Sequence, residues 1–137
     1  MPVHQVVETE KNMISRAIKS VVDCSANYTE GKLELVISTT KYLSDDILQI
    51  AEKVDGFNLL KVNVVTSDDT DFFTLMQKGV EECSYEYFSL LEYDDLYTDK
   101  WFNMWSTYYN THEDVSVFLP ITIRTNVDGT AWLFGNE

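Results

Sequence analysis

A chain of 137 residues with 45% hydrophobic and 13% aromatic side chains, five glycines and two prolines has the size and composition of one folded domain over 1–137. Ten Lys+Arg against 23 Asp+Glu leave a formal net charge of −13, so the basic face that nucleic acids and anionic membrane surfaces require is missing. No apolar run reaches the roughly 18–20 residues of a membrane span, and no basic-then-apolar leader opens the sequence, so a cytoplasmic protein is expected.

Apolar residues at Met13, Ile14, Ala17, Ile18, Val21 and Val22 recur with helical period, which predicts a helix over 9–25. Residues 26–31 break it, and 33–38 reads as a buried strand. Ser44, Asp45 and Asp46 can cap a second helix carrying Ile47, Ile50, Ala51 and Val54, ended by Asp55 and Gly56. Residues 60–65 are strand-like, 66–70 is a polar loop, and 71–83 is a third helix that buries Phe72, Phe73, Leu75, Met76 and Val80. A short apolar strand is expected over 86–91, then an acidic turn over 92–97. Thr98 can cap a fourth helix, and its aromatic stripe (Trp101, Phe102, Trp105, Tyr108, Tyr109) reads as core, with a sugar-stacking platform as the alternative. A strand interrupted by Pro120 is expected over 115–123, a turn over 126–129 and a last strand over 130–134.

Helices and strands in alternation predict an α/β domain of three layers with a mostly parallel sheet. Ligands in such sheets sit beyond the carboxyl ends of the strands, which directs attention to 38–44, 66–70 and 92–97. Cys24 and Cys83 belong to no C-x-x-C or Cys/His cluster and read as buried free thiols, while His4 and His112 read as surface residues.

Charge is uneven along the chain: residues 1–61 carry 7 basic and 9 acidic side chains, and 62–137 carry 3 and 14. Within the acidic half, the apolar run ending at Leu91 leads directly into Glu92, Asp94 and Asp95. Hard carboxylate oxygens gathered at a strand end suit Mg²⁺ or Mn²⁺, ions that commonly bridge protein carboxylates to substrate phosphates. An exposed, solvated acidic turn is the competing reading. Asp68 and Asp69 follow the preceding strand; the simplest role of this run is to cap the third helix through Asp69, Thr70 or Asp71, and it is also expected beside Glu92–Asp95 around one cation.

Four segments together resemble the nucleotide-sugar-binding half of GT-A glycosyltransferases of the family 2 kind, residues 77–80 being similar to that family's later helix. Residues 1–4 resemble the Pro-containing turn after that family's first strand, 16–22 the helix that follows, and 84–95 the approach to its D-x-D metal motif, with Glu92 at the first acidic position and Asp94 at the second. The resemblance implies a GT-A (nucleotide-diphospho-sugar transferase-like) fold, truncated in this chain. It implies a Mn²⁺ or Mg²⁺ held by Glu92, Asp94 and Asp95, a nucleotide-diphosphate sugar as donor and an unknown acceptor. His4 and Gln5 would fall near the base or ribose, with Asp68 and Asp69 also on the donor side. The implied function is glycosyl transfer, incomplete or inactive in this chain alone. The alternative is a non-catalytic structural or partner-binding domain of the same ancestry, working in an oligomer or against a partner chain.

Overall fold

A computed structural model describes residues 1–112, 114–118, 123–125 and 131–133. The elements in chain order are β1 (Pro2–Val3), α1 (Glu8–Asn27), β2 (Glu34–Thr40), α2 (Ser44–Glu52), a 3-10 turn (Phe57–Leu59), β3 (Lys61–Ser67), α3 (Phe72–Glu81), α4 (Trp101–Thr111), β4 (Ile123–Thr125) and β5 (Ala131–Leu133). β1, β2 and β3 form an open three-stranded parallel sheet in that order, and β4 and β5 form a separate antiparallel pair.

The helical period of α1 is a burial pattern. Ile14, Ala17, Ile18, Val21 and Val22 are all buried, and they join Leu35 and Ile37 of β2 and Ile47 and Ala51 of α2 in one core. Glu10 starts the helix by accepting from the Val7 N–H at 3.2 Å. Asp45 and Asp46 lie in the first turn of α2, where negative charge complements the helix dipole. Side chains on a strand alternate between faces, so Leu35 and Ile37 face α1 and α2 while Val36 and Ser38 face the other way, toward α3. A Cβ on Gly79 of α3 would lie 3.1 Å from Ser38 Oγ, which is how closely this helix seats on the sheet. Helices therefore cover both faces.

Several elements depart from the sequence reading. Residues 86–91 form no strand. A strand exists only where a neighbour offers a ladder, and none of the described strands pairs with this run. Only Leu91 of that run is in the core, and Tyr85, Tyr87, Phe88 and Leu90 are exposed. In α3 the buried residues are Leu75 and Gly79, and Phe73 is 68% exposed, because close seating on the sheet favours a glycine over a bulky side chain at the contact. Asp71 is the residue that caps α3, its Oδ2 accepting from the Thr74 N–H at 2.9 Å. α4 begins at Trp101 and not at Thr98. Residues 114–118 form no strand, 119–122 and the turn at 126–129 lie outside the described residues, and the last expected strand is β5. Both cysteines are free; Cys24 is buried and Cys83 half-buried. The Cys24 thiol donates to the Thr98 carbonyl at 2.8 Å, and burial pushes its pKa up to about 11.

Gly56 occupies φ 81°, and a Cβ there would stand 2.8 Å from Val22 Cγ1. Gly56→Ala is expected to cost about 1–2 kcal/mol from the left-handed conformation, with the contact adding to it. Ile37→Ala should cost about 2–5 kcal/mol, whereas Phe73→Ser should stay within about 0.5 kcal/mol. Urea unfolding of the three variants at constant m checks the order.

Candidate carboxylate rim at the strand ends

The parallel register brings three strand ends to one rim. Val3 pairs with Thr39, Thr39 with Thr66 and Thr40 with Ser67. His4 and Gln5 leave β1 there, Lys41 leaves β2, and Asp68 and Asp69 leave β3.

Leu91, buried in the core, anchors the acidic run, and the Asp95 N–H closes a turn on the Glu92 carbonyl at 3.2 Å. The Tyr93 ring stands edge-on to His4 at 5.9 Å between centroids. Tyr93 Oη donates to Glu10 Oε1 at 3.3 Å, and Gln5 Nε2 donates to the same oxygen at 3.0 Å. Through these contacts His4, Gln5, Glu92, Asp94 and Asp95 meet at the end of β1. Burial raises the Glu92 pKa, the Asp95 and Asp94 charges raise it further, and His4 pulls it back. Burial and Asp94 likewise raise the Asp95 pKa. These are mutually repelling carboxylates, the arrangement that a cation relieves. Among the described residues, no group of three or more His, Cys, Asp or Glu side chains is placed so that it could hold a metal ion.

Asp68 and Asp69 stand apart from this group. Asp68 pairs with Lys41 at 2.7 Å on the exposed surface. Asp69 Oδ1 accepts from the Asp71 N–H at 3.0 Å and the Asp69 N–H donates to Ser67 Oγ at 3.1 Å, a turn leading into α3. Glu92–Asp95 sits against β1, and Asp68 and Asp69 follow β3 at the opposite edge of the sheet, two strand spacings or about 10 Å away. Among the described residues no hydrogen bond or ion pair joins the two groups. One cation shared by both loops, the expectation from sequence, is therefore not what the fold arranges.

Two features escaped the sequence reading. Ser38, Thr39 and Thr40 are all buried at the end of β2; Thr39 Oγ1 donates to the Val3 carbonyl at 2.8 Å, and Ser38 Oγ and Thr40 Oγ1 have no partner among the described residues. Three hydroxyls ending an otherwise apolar strand were the signal. His4, read as a surface residue, is half-buried, with Nδ1 enclosed and without a hydrogen-bond partner among the described residues. The aromatic stripe of α4 is not core either. Trp101, Phe102 and Trp105 are half-buried and line a cavity of about 480 Å³ beside the amino half of β2.

A carboxyl whose pKa is raised by folding costs stability once the pH exceeds its unfolded-state value, since the fold then disfavours a charge that the unfolded chain carries freely. For Asp95 that cost is absent below its ordinary value of 3.8 and complete above the raised value. Asp95→Asn should therefore raise the thermal midpoint at pH 7, and the gain should fade as pH falls through the carboxylate range. Melting curves at pH 7 and pH 3 check this; an unchanged or lowered midpoint at pH 7 contradicts it.

Comparison of the chain with protein families, with curated proteins and with solved structures found no match.

Proposed function

We propose that the rim at the end of β1 binds a nucleotide-diphosphate sugar through Mn²⁺ or Mg²⁺, as the donor-binding part of a GT-A-like glycosyltransferase acting in the cytoplasm on an acceptor not yet identified. The observation that carries this reading is the meeting of Glu92, Asp94 and Asp95 with His4 and Gln5 at the carboxyl rim of a parallel sheet, the usual ligand position of α/β folds. Asp94 is the main ligand, with Glu92 and Asp95 beside it. When bound, the ion neutralises the diphosphate and stabilises it as a leaving group. Mg²⁺ is commonly held by one or two protein carboxylates, with waters and substrate phosphates completing the coordination.

The rest of the work falls to the protein's own groups. Leu91 and the Tyr93–His4 contact hold the acidic turn against β1. Glu10 orients both Gln5 and Tyr93, leaving His4 and Gln5 to border the base or ribose. Asp68 and Asp69 bound the rim at its far side, next to Lys41. A second reading, a partner-binding domain of the same ancestry without catalysis, draws support from the aromatic cavity beside β2.

Because each ligand supplies part of the other's site, Mn²⁺ and a nucleoside diphosphate should bind far better together than separately. Titration calorimetry with Mn²⁺ plus UDP, GDP, CDP or ADP should give heat with at least one pair, and Asp94→Asn should abolish it with little change in the melting temperature. No heat with any pair, or heat unchanged in Asp94→Asn, overturns the reading.

A further inference from the structure

Aromatic rings line up along α4 and the segment that faces it. Tyr97 stacks on Trp101 at 5.1 Å between centroids, and Trp105 stacks on Tyr109 at 5.3 Å. Residues 101, 105 and 109 are four apart, so their rings share one face of the helix. Tyr87, from residues 84–91, closes the row. Its ring lies 5.4 Å from Trp105 and 5.0 Å from Tyr109, edge-on to the latter. Tyr87 Oη donates to Tyr109 Oη at 3.0 Å.

Tyr87 is held in place from both sides. The Ser84 N–H donates to the Glu34 carboxylate, which Lys61 also holds at 2.7 Å, and Tyr97 Oη donates to Ser89 Oγ at 2.7 Å. Between these anchors the chain forms neither helix nor strand, and Tyr87 is 43% exposed. Neither Tyr87 nor Tyr109 belongs to the hydrophobic core, so burial does not account for their pairing. All eight tyrosines lie within residues 1–112, and among the described residues no other pair of tyrosine rings is in contact. A phenol that loses an electron and its hydroxyl proton carries the unpaired electron on the oxygen and on the ring carbons beside it. Meeting hydroxyls bring those carbons of the two rings side by side, and Trp105 packs against both rings to keep them there.

We propose that Tyr87 and Tyr109 form an oxidative cross-linking site, at which a one-electron oxidant of the haem-peroxidase class, supplied with hydrogen peroxide, joins the two rings carbon to carbon and clamps residues 84–91 onto α4. Each phenol gives up one electron and one proton, and the Tyr87 proton has Tyr109 Oη as its first acceptor. The two electrons and two protons reduce one hydrogen peroxide to two waters. The two radicals then form a single bond between the ring carbons beside their oxygens. The hydrogens on those carbons move to the oxygens and restore both hydroxyls, so the linked pair is two hydrogens lighter than the separate rings. The proposal does not depend on the carboxylate rim.

The test treats the dilute full-length chain with hydrogen peroxide and a haem peroxidase and isolates the monomer. Blue dityrosine fluorescence is expected in it. Trypsin cuts after Lys78, Lys100 and Arg124, so peptides 79–100 and 101–124 should appear joined, two hydrogens lighter than their sum, with fragmentation placing the bond at Tyr87 and Tyr109. Tyr87→Phe and Tyr109→Phe each keep the ring and should each lose the monomer's fluorescence, whereas Tyr42→Phe, at the most exposed tyrosine, should retain it. The two residues are 22 apart in sequence, and closing that loop covalently should raise the melting midpoint of the linked monomer. Links that form only between chains, a bond mapped to other tyrosines, fluorescence that survives Tyr87→Phe, or a linked monomer that melts no higher than the untreated chain overturns the proposal.

Discussion

Seven residues of β2 pair in register with seven of β3, Glu34 against Lys61 through Thr40 against Ser67, and that ladder fixes where everything else can go. A parallel strand in the middle of a sheet must have both faces and both edges covered, since its backbone groups are too costly to bury unpaired. α1 and α2 cover one face through Ile14, Ile18 and Ile47, and α3 covers the other through the close seat at Gly79. β3 covers one edge, and β1 covers only the last part of the other. The rim follows from this arrangement, at the point where the paired strands end.

At the rim Asp94 and Asp95 both act against the Glu92 charge, while the loop after β3 pairs Asp68 with Lys41 and uses Asp69 in the turn into α3. The contrast separates the two acidic runs by role. Asp69 and Asp71 organise backbone, whereas Glu92, Asp94 and Asp95 gain nothing from one another, and their proximity is a cost that the fold tolerates.

Elements defined by their own periodicity were legible in the sequence: α1, β2, α2, β3 and α3 stand within a few residues of where the apolar spacing puts them. Residues 86–91 were not, because their β-rich composition says what they would do beside a partner and nothing about whether a partner is there. Within that run Leu91 joins the core, whereas Tyr87 and Phe88 are exposed. At the candidate site the Glu92–Asp95 cluster could be read from spacing alone. Its separation from Asp68 could not, since that depends on which strands occupy the edges, a property of topology. The exposed or half-buried aromatics of α4 look like core in sequence because helical spacing does not show which stripe faces a neighbour and which borders a cavity.

The short β1 ladder also bears on the order in which the sheet assembles. Pairing Glu34 with Lys61 closes 27 residues of chain, and pairing Pro2 with Ser38 closes 36. Closure entropy grows only with the logarithm of loop length, so these two steps start from nearly equal cost. Their returns differ widely, with seven pairs in one ladder and two in the other. β2–β3 therefore returns more contacts for its closure cost than β1–β2 does. Loss of the β1 pairing would uncover Ser38 and Thr39 and free His4 from its place beside Tyr93, so the rim rests on the shorter of the two ladders.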